Sequence, residues 1–427
     1  MNLTKRNLIL VTMDEVRPDK LSCYGNERIQ TEHIDRLASM GVRFETCIAV
    51  SSLTPICHAS LLTGVNPPVH GLRNPYCRIH FPNLAKIFKE NGYTTAGFVG
   101  VSLLGPALGF SEGFSDYDYP KEGWFRSAFD KKDEKVTQDH PLIEVVWGNF
   151  YQDRLWDWLR QHRETPFFLW AHYFDCHQAA EKILLKLGKI KEGVMPEYGY
   201  YDPKVKYMDA SFFGPLLGLL EDLKIMERTN FIVTSDHGTN LEEHEVPPFP
   251  HLDLIYPQHT TQYDHDLKVP LMMVAPEIPP GRVVKGQVRH IDVVPTVVEL
   301  MKLETSVKSD GISLIPAIRS GQSEGSVAYG EEMFHLRGPG DFQSMRTDDL
   351  KYIIDRRSGK EEAYELAVDP SEKRNRIDTL VPGQRSLIQG WRKYMDEAYE
   401  SMKGTMEVKG EDRQKVQNRL KMLGYIE

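Results

Sequence analysis

Acidic residues and histidines follow three apolar runs of this sequence, "NLILVTM", "TPFFLWAHYF" and "NFIVTS". They are, in chain order, Asp14, Glu15, Asp175, His177, Asp236 and His237. A single Asp in such a place usually caps a helix or forms a turn. An acid next to an imidazole instead offers oxygen and nitrogen ligands to a divalent cation, and the Gly that follows permits a close approach of the backbone. The sequence therefore predicts a metal site that joins Asp14 to the Asp236-His237 pair.

A hydroxyl, a thiol and an imidazole stand close together in the stretch "SSLTPICHASLLTG", as Thr54, Cys57 and His58. Thr followed by Pro is a common helix start, with Thr as the N-cap and Pro as the first helical residue. The same geometry places the Thr54 hydroxyl at the positive end of the helix dipole, beside free N–H groups that suit an anionic ester. His58 falls on the same helical face. Thr54 is thus either a cap or a nucleophile.

The elements that must position these residues follow an α/β pattern. Continuous apolar runs typical of buried strands alternate with amphipathic helices, as in "HIDRLASMGVRF" and "NLAKIFKENGYTTAGFVG", and "LKVPLMMVAP" predicts another strand of this buried, parallel type. Ligands of open parallel sheets collect at the carboxyl ends of the strands. The acids and histidines are therefore expected to face one crevice.

The pattern changes near the end of the chain. "DFQSMRTDDLKYIID" and "EEAYELAVDP" predict an antiparallel hairpin pair, and a long charged helix follows. We therefore expect a catalytic domain of residues 1–330 and a smaller C-terminal α+β subdomain of residues 331–427. The weakly periodic segment 178–203 is predicted to form an insertion over the crevice.

Composition limits the partners of the protein. The 427 residues include 52 basic and 61 acidic side chains, and the net charge of -9 argues against broad affinity for nucleic acid. No apolar run reaches the length of a membrane span. Five cysteines without CxxC spacing favour neither a disulfide framework nor a structural zinc site, so we expect a cytoplasmic protein. The expected partner is a small anionic ester, without nucleic acid or membrane, and self-association into a homo-oligomer is left open.

Many motifs along the chain resemble those of the sulfatase family of the alkaline phosphatase superfamily, in the same order. The resemblance lies in "VTMDEVRPDKLSCYG", "HASLLTG", "IVTSDHG", "HTTQYDHDLKVPLMM", "HIDVVPTVVEL", "DGISLIPAI", "LKYIID", "AYELAVDPSEKRN" and "LKMLGYIE". It implies an alkaline phosphatase-like α/β sandwich with a central, mostly parallel sheet. It also implies an antiparallel sheet in the smaller C-terminal subdomain.

This sequence also departs from the family pattern. Sulfatases convert a Cys in a Cys-x-Pro-x-Arg context to formylglycine, and anchoring on "LLTG" places Thr54 at that position. Cys57 lacks the context, since Ala59 and Leu61 stand where Pro and Arg are needed. Other cationic positions of the family correspond here to His58 (in place of Arg), Val101 (Lys), Leu103 (His) and His259 (Lys). The chain is thus a Thr variant that has lost fixed positive charge.

The resemblance implies a first divalent cation bound by the side chains of Asp14, Thr54, Asp236 and His237, with Glu15 as a weaker ligand. The expected cation is Mn or Zn, with Ca as an alternative, at one or two ions per chain.

Two further histidines, His177 and His259, are expected to bind a second cation, with Asp175 as an additional candidate. If the chain binds only one cation, the same histidines are expected to contact phosphoryl oxygens and to act as general acid. His58 is expected to orient or stabilise the anion. Surface or supporting positions are expected for His244, His251 and His265.

The nucleophile decides the expected reaction. A formylglycine hydrate expels sulfate by collapse to the aldehyde, whereas a threonine ester needs a second attack by water, which phosphorus accepts readily with metal assistance. We therefore expect a metal-dependent hydrolase of phosphate diesters or monoesters, or of phosphonate monoesters, with Thr54 as nucleophile. The alternatives are a sulfatase, a phosphoryl-group transferase, and a binding protein that keeps the fold without turnover.

Overall fold

The computed structural model describes residues 5–120, 147–177, 184–185, 188–190, 201–241, 243–244, 261–333, 341–401, 409–410, 413–414 and 416–417. Its strands are β1 (Asn7–Met13), β2 (Val42–Ile48), β3 (Thr94–Val99), β4 (Asp116–Asp118), β5 (Phe167–Tyr173), β6 (Thr229–Ser235), β7 (Lys268–Val274), β8 (Arg282–Arg289), β9 (Ala328–Glu332), β10 (Phe342–Arg346), β11 (Leu350–Asp355) and β12 (Glu361–Glu365). Its α-helices are α1 (Glu32–Met40), α2 (Thr54–Thr63), α3 (Pro67–His70), α4 (Leu84–Glu90), α5 (Trp147–His162), α6 (Tyr201–Met208), α7 (Gly214–Asp222), α8 (Asp264–Leu267), α9 (Val293–Met301), α10 (Ile315–Ser320) and α11 (Pro382–Ser401).

Eight of these strands form one large sheet in the order β4-β3-β5-β1-β6-β7-β2-β8. The pairs within β4-β3-β5-β1-β6 are parallel, as is the pair β2-β8. The predicted α/β architecture with a central, mostly parallel sheet is thus confirmed. The strand predicted at "LKVPLMMVAP" is also present, as β7, but it runs antiparallel to both of its neighbours. Its side chains are buried on both faces, which gives an antiparallel strand the sequence pattern of a parallel one.

Helices cover both faces of this sheet. Leu8 and Leu10 of β1 belong to one apolar core, and Ile9 and Val11 belong to the other, because successive side chains of a strand point to opposite faces. Residues of α2, α4 and α9 pack in the first core, and residues of α1, α5, α6 and α7 pack in the second. All seven residues of β1 are buried, so this central strand fixes the position of whatever follows it.

The predicted antiparallel sheet near the C-terminus is confirmed, in the order β12-β11-β10-β9. Tyr352 of β11 lies in one apolar cluster with Ile388, Trp391 and Met395 of α11. The expected boundary between residues 330 and 331 falls inside β9, which pairs with β10. The division of the chain into two domains stays a prediction. Within the described residues, no helix is long and apolar enough to cross a membrane.

Candidate active site

The carboxyl ends of β1, β5 and β6 lie side by side, as the sequence predicted. Met13 pairs with Ser235 in the parallel register of β1 and β6, so Asp14 and Asp236 emerge from the sheet at the same level. The strand β5 lies on the other side of β1 and leads into His177. This edge of the sheet is where open α/β folds bind their ligands.

Hydrogen bonds from the backbone hold the carboxylate of Asp236 in one orientation. Its Oδ1 accepts hydrogen bonds from the backbone N–H groups of Glu15 (3.1 Å) and His237 (2.8 Å). Its Oδ2 is buried and has no hydrogen bond to any described residue. One oxygen therefore holds the side chain in place, and the other is open to a ligand.

His237 is held in one tautomer. Its Nδ1 lies 2.7 Å from the carbonyl oxygen of Gly238, which can only accept a hydrogen bond, so Nδ1 carries the hydrogen. The lone pair of the ring is then on Nε2, which lies 3.5 Å from Oδ2 of Asp236 and 3.3 Å from Oγ1 of Thr54. A backbone bond of this kind is how proteins orient a metal-binding imidazole.

Gly238 makes the close backbone approach that the sequence predicted. Its N–H donates to the carbonyl of Asp266 at 2.7 Å. A Cβ at this position would lie 2.1 Å from the carbonyl oxygen of His265. The glycine thus lets the segment after β6 pass directly against the segment before β7.

Asp14 is fully buried, and neither oxygen of its carboxylate has a hydrogen bond to a described residue. Burial raises the pKa of Asp14 well above its usual range, and the negative charges of Asp236 and Glu15 raise it further. Donor atoms of Asp14, Asp236 and His237 all lie within 4.8 Å of one another. A buried carboxylate is stable as an anion only beside a compensating cation, so these residues fit a divalent metal ion.

Thr54 is the first residue of α2, and Leu53 precedes the helix as its cap. Leu53 therefore occupies the N-cap position, and the Thr54 hydroxyl accepts no backbone N–H group among the described residues, so the interpretation of Thr54 as a helix cap is wrong. Its hydroxyl lies against Nε2 of His237 instead. The helix start therefore presents this hydroxyl to the acidic group rather than to its own backbone.

Cys57 faces a different direction. Its thiol is fully buried and donates to the carbonyl of Ser51 at 2.9 Å. Burial raises the pKa of the Cys57 thiol well above its usual value, and nearby carboxylates raise it further. A buried thiol that stays protonated and hydrogen-bonded is a poor nucleophile.

His58 is hydrogen-bonded to the backbone of Thr54. Its Nδ1 donates to the carbonyl of Thr54 at 2.8 Å, and its Nε2 accepts from the hydroxyl of Thr12 at 2.9 Å. Trp170 in turn donates to that hydroxyl at 3.0 Å. Burial lowers the pKa of His58 to about 4, so the ring is neutral near pH 7. Both ring nitrogens already have protein partners, which speaks against direct contact with an anion. The expected anion contact of His58 stays a prediction.

Glu15 and His177 meet at the same edge of the sheet. Glu15 has a left-handed backbone (φ 58°), held by a hydrogen bond from the Tyr201 hydroxyl to its carbonyl and by the bond from its own N–H to Asp236. This conformation costs about 1 kcal/mol for a residue with a side chain. It brings Oε1 of Glu15 to 3.3 Å from Nε2 of His177, and both residues lie within 4.8 Å of Asp14 through donor atoms.

The sequence interpretation missed two buried residues beside this centre. His172, one residue before the end of β5, has Nε2 at 3.2 Å from Oδ2 of Asp14. Lys204 of α6 is fully buried and donates to the carbonyl of His177 at 3.3 Å. The only sequence signal for His172 was that a polar residue interrupts the apolar run "FFLWAHY". Lys204 follows a segment without a readable motif, so nothing in the sequence indicated that it lies beside this centre.

The remaining predicted positions are Asp175, His244, His251, His259 and His265. His251 and His259 fall outside the described residues. His244 stacks on Tyr263 with 3.9 Å between ring centroids, and His265 lies 3.3 Å from the hydroxyl of Thr261. Neither of these histidines, nor Asp175, belongs to the groups of metal-binding donors found among the described residues.

Three comparisons place the chain among known proteins. A model of the family "Sulfatase" matches residues 6–303. An "Ulvan-active sulfatase" of Formosa agariphila is 25% identical over 354 residues, which are 75% of this chain and 66% of that protein. An "Iduronate 2-sulfatase" of Mus musculus is 37% identical over 347 residues, 63% of this chain and 59% of that protein. The chain thus spans less than two thirds of the length of either relative.

A solved structure of a phosphonate monoester hydrolase of Agrobacterium radiobacter matches 93% of this chain and 96% of its own, with a TM-score of 0.69 and 19% identity. At 19% identity, this similarity shows a shared fold and nothing more.

Proposed function

The chain belongs to the sulfatase family, and we propose that it is a metal-dependent ester hydrolase that uses Thr54 to cleave phosphate diesters, phosphate monoesters or phosphonate monoesters. The observation that carries the proposal is the 3.3 Å distance from Oγ1 of Thr54 to Nε2 of His237, with Asp14 and Asp236 beside it. A hydroxyl in that place can be activated as a nucleophile, whereas the Cys57 thiol donates to the backbone.

Asp14, Asp236, His237 and Thr54 would hold the first cation, with Glu15 nearby. Sulfatases depend on a divalent metal, and the mix of carboxylate and imidazole donors supports Mn or Zn over Ca here. When bound, such a cation acidifies a neighbouring hydroxyl and neutralises charge on a phosphoryl group.

The proposed reaction has two displacements. Oγ1 of Thr54 gives its proton to solvent and forms a bond to phosphorus, while the bond from phosphorus to the leaving oxygen breaks. That oxygen takes a proton from His177, acting as general acid. Water then attacks the phospho-Thr54 adduct, gives one proton to His177 and keeps the other on the phosphate product, and the oxygen of Thr54 takes a proton back from solvent as it leaves. The net reaction adds one water across the ester bond.

His58 and the backbone of α2 position the nucleophile in this scheme. The bond from His58 to the Thr54 carbonyl fixes the first turn of the helix, and the chain of bonds through Thr12 to Trp170 fixes the ring. The free N–H groups at the start of α2 suit the anionic oxygens of the ester.

The nucleophile favours phosphorus over sulfur as the centre of attack. A sulfo-Thr54 adduct lacks the second hydroxyl by which a formylglycine hydrate expels sulfate, so we expect it to persist after one cycle. A phospho-Thr54 adduct is open to attack by water.

The test is a panel of aryl phosphate monoesters, aryl phosphate diesters, phosphonate monoesters and aryl sulfates, assayed with Mn, Zn or Ca restored to metal-free protein. We expect steady turnover of at least one phosphorus ester and single-cycle reaction with sulfates. We also expect a loss of at least about 100-fold in His177→Ala and in His259→Ala. Sustained sulfate turnover above that of every phosphorus ester, with His259→Ala unimpaired, would contradict the proposal.

A sulfatase is the second candidate, and the names of both curated relatives favour it. It requires formylglycine at Cys57, which intact mass measurement detects directly. A phosphoryl-group transferase is distinguished by transfer of the adduct to added alcohols in place of water.

The proposed setting of the enzyme follows from its composition. We propose a cytoplasmic location and a small anionic ester as partner, without nucleic acid or membrane. The net charge of -9 and five free cysteines support this. Sedimentation velocity measures whether the chain is a homo-oligomer.

A further inference from the structure

The segment that precedes the proposed nucleophile lies against the C-terminal sheet. β9 is the edge strand of that sheet, in the order β12-β11-β10-β9. The N–H of Glu331 in β9 donates to the carbonyl of Val50 at 2.8 Å. Residues 50–53 lead directly into α2, whose first residue is Thr54. The edge of the smaller sheet therefore contacts the chain immediately before the nucleophile.

Glu332, the last residue of β9, binds two hydroxyls of this segment. Its Oε2 accepts hydrogen bonds from Oγ of Ser51 (3.0 Å) and from Oγ of Ser52 (3.1 Å). All three side chains are buried. Hydrogen bonds to a carboxylate are stronger than those between neutral groups, and a buried site excludes the water that would compete for them. Glu332 therefore fixes both serines relative to the smaller sheet.

Ser51 connects this contact to the start of α2. Its Oγ accepts the N–H of Leu53 at 3.3 Å, and its carbonyl accepts the thiol of Cys57 at 2.9 Å. The carbonyl of Leu53 in turn accepts the N–H of Cys57 at 3.0 Å. The hydrogen bonds that begin at Glu332 thus reach the chain on both sides of Thr54.

The first residues of α2 do not supply a cap of their own. Helices usually begin at a Ser, Thr, Asp or Asn whose side chain accepts an N–H of the first turn. Leu53 occupies that position here and has no side-chain oxygen. Burial raises the pKa of the Cys57 thiol, and the charges of Asp236 and Glu332 raise it further, so the Glu332 carboxylate lies close to this first turn. A negative charge there is favourable to the helix dipole. Glu332 therefore stabilises the helix start from outside the helix.

We propose that Glu332 is a positioning residue for Thr54. It holds the start of α2 through the two serines, and the helix start then keeps the Thr54 hydroxyl 3.3 Å from Nε2 of His237. A misplacement of about 1 Å can cost about 100-fold in rate. The smaller sheet thereby takes part in catalysis, although none of its residues belongs to the groups of metal-binding donors found in the described part of the chain.

This inference rests on the proposed function for the role of Thr54, so its test combines turnover with a measurement that needs no substrate. The values of kcat and KM are measured with Mn²⁺ for the phosphorus ester that the wild type turns over fastest. Hydrogen exchange, detected by mass spectrometry, follows the amides of residues 51–58. For Glu332→Ala we expect a fall in kcat of about 10- to 100-fold, a smaller change in KM, and faster exchange in residues 51–58.

Two variants separate this role from a general loss of stability. Glu332→Gln keeps a side-chain oxygen that can accept from both hydroxyls, so it is expected to recover most of the lost kcat and the slow exchange. The matched control is Glu362→Ala, because Glu362 of β12 is also a buried carboxylate whose Oε2 accepts two hydroxyls, from Tyr263 and Tyr364, at 2.8 Å each. This control is expected to keep the wild-type kcat and the wild-type exchange in residues 51–58.

Replacing both serines removes the same contact from its other side. The double variant Ser51→Ala, Ser52→Ala is expected to lower kcat about as much as Glu332→Ala. Adding Glu332→Ala to it is expected to cause little further loss, because the three residues act through one contact. If Glu332→Ala does not fold, the double variant decides, and an unchanged kcat in it overturns the inference.

The outcomes distinguish this inference from the proposed function. Unchanged kcat or unchanged exchange in Glu332→Ala overturns the positioning role and leaves the proposed function intact. An equal fall in Glu362→Ala, or no recovery in Glu332→Gln, overturns it as well. A wild type that turns over no phosphorus ester contradicts the proposed function instead, and the exchange in residues 51–58 then decides whether Glu332 holds the start of α2.

Discussion

The substitution Asp236→Asn is expected to weaken metal binding and to raise the stability of the metal-free protein, so it tests two effects of opposite sign. The substitution keeps Oδ1, which accepts the N–H groups of Glu15 and His237, so the local backbone is retained. It replaces Oδ2, the atom without a hydrogen bond, by an NH₂ group that cannot bind a cation. The change therefore removes one ligand and one buried negative charge with little change in shape.

The loss in the metal-bound protein follows from the affinity. Removing even a supporting partner of a metal ligand weakens binding about 10- to 100-fold, so loss of the ligand itself costs at least about 100-fold. At a free cation concentration of about 100 Kd, binding stabilises the wild type by about 2.7 kcal/mol, and the variant keeps about 0.4 kcal/mol. An unfolding entropy of about 2.1 cal/mol/K per residue over 427 residues converts this difference to a metal-induced rise in Tm that is about 2–3 °C smaller in the variant.

The metal-free protein is expected to respond with the opposite sign. Burial raises the pKa of Asp236, so its carboxylate is destabilising near pH 7 unless it is protonated or paired with a cation. Asn carries no charge, and its NH₂ group can donate to Nε2 of His237, which lies 3.5 Å from the replaced oxygen. We expect the metal-free variant to be more stable than the metal-free wild type by about 1–3 kcal/mol.

Calorimetric unfolding of both proteins, with Mn²⁺ and after chelation, measures both effects. Asp209→Asn is the matched control, because Asp209 is also a buried carboxylate that accepts two backbone N–H groups, from His33 and Ile34. It is expected to bind as much metal as the wild type. Equal metal content and an equal metal-induced rise in Tm in Asp236→Asn would refute its role as a ligand. A less stable metal-free variant would refute the argument from buried charge.

Three further predictions concern single residues. Thr54→Ala should lower turnover by several orders of magnitude without changing the Tm of the metal-free protein, whereas Cys57→Ser should keep full activity. Strong inactivation by Cys57→Ser, together with a mass that shows formylglycine, would make Cys57 the nucleophile in place of Thr54. Gly238→Ala should destabilise the protein by about 2 kcal/mol or more and weaken Mn²⁺ binding, because its Cβ would lie 2.1 Å from the His265 carbonyl oxygen; an unchanged Tm would exclude that close contact. Burial raises the pKa of Glu372 to about 7, so its contribution to stability is fully present below about pH 4.5 and is lost as the pH rises through 7. Denaturation of Glu372→Gln at pH 5 and pH 8 should therefore show a smaller fall in stability than the wild type, and an equal fall would contradict the shift.

The sequence by itself determined the α/β architecture and the edge of the sheet at which the acidic residues gather. Strands buried on both faces carry mostly apolar and no acidic side chains here, so Asp14 and Asp236 stand out where β1 and β6 end. The parallel register then places the two acids side by side without further information. The sequence pattern could not predict that β7 is antiparallel. Its side chains are buried on both faces, so it lacks the alternation of apolar and polar residues that is typical of antiparallel strands.

The tertiary structure alone decided what each side chain at that edge does. The hydroxyl of Thr54 is directed to His237, a residue 183 positions away, and not to its own helix. His58 has both nitrogens engaged, and His172 has neither, although both are histidines within apolar surroundings. Periodicity reports only which face of an element is buried. Hydrogen-bond partners, tautomers and unpaired atoms depend on contacts between distant segments, which exist only once the chain has folded.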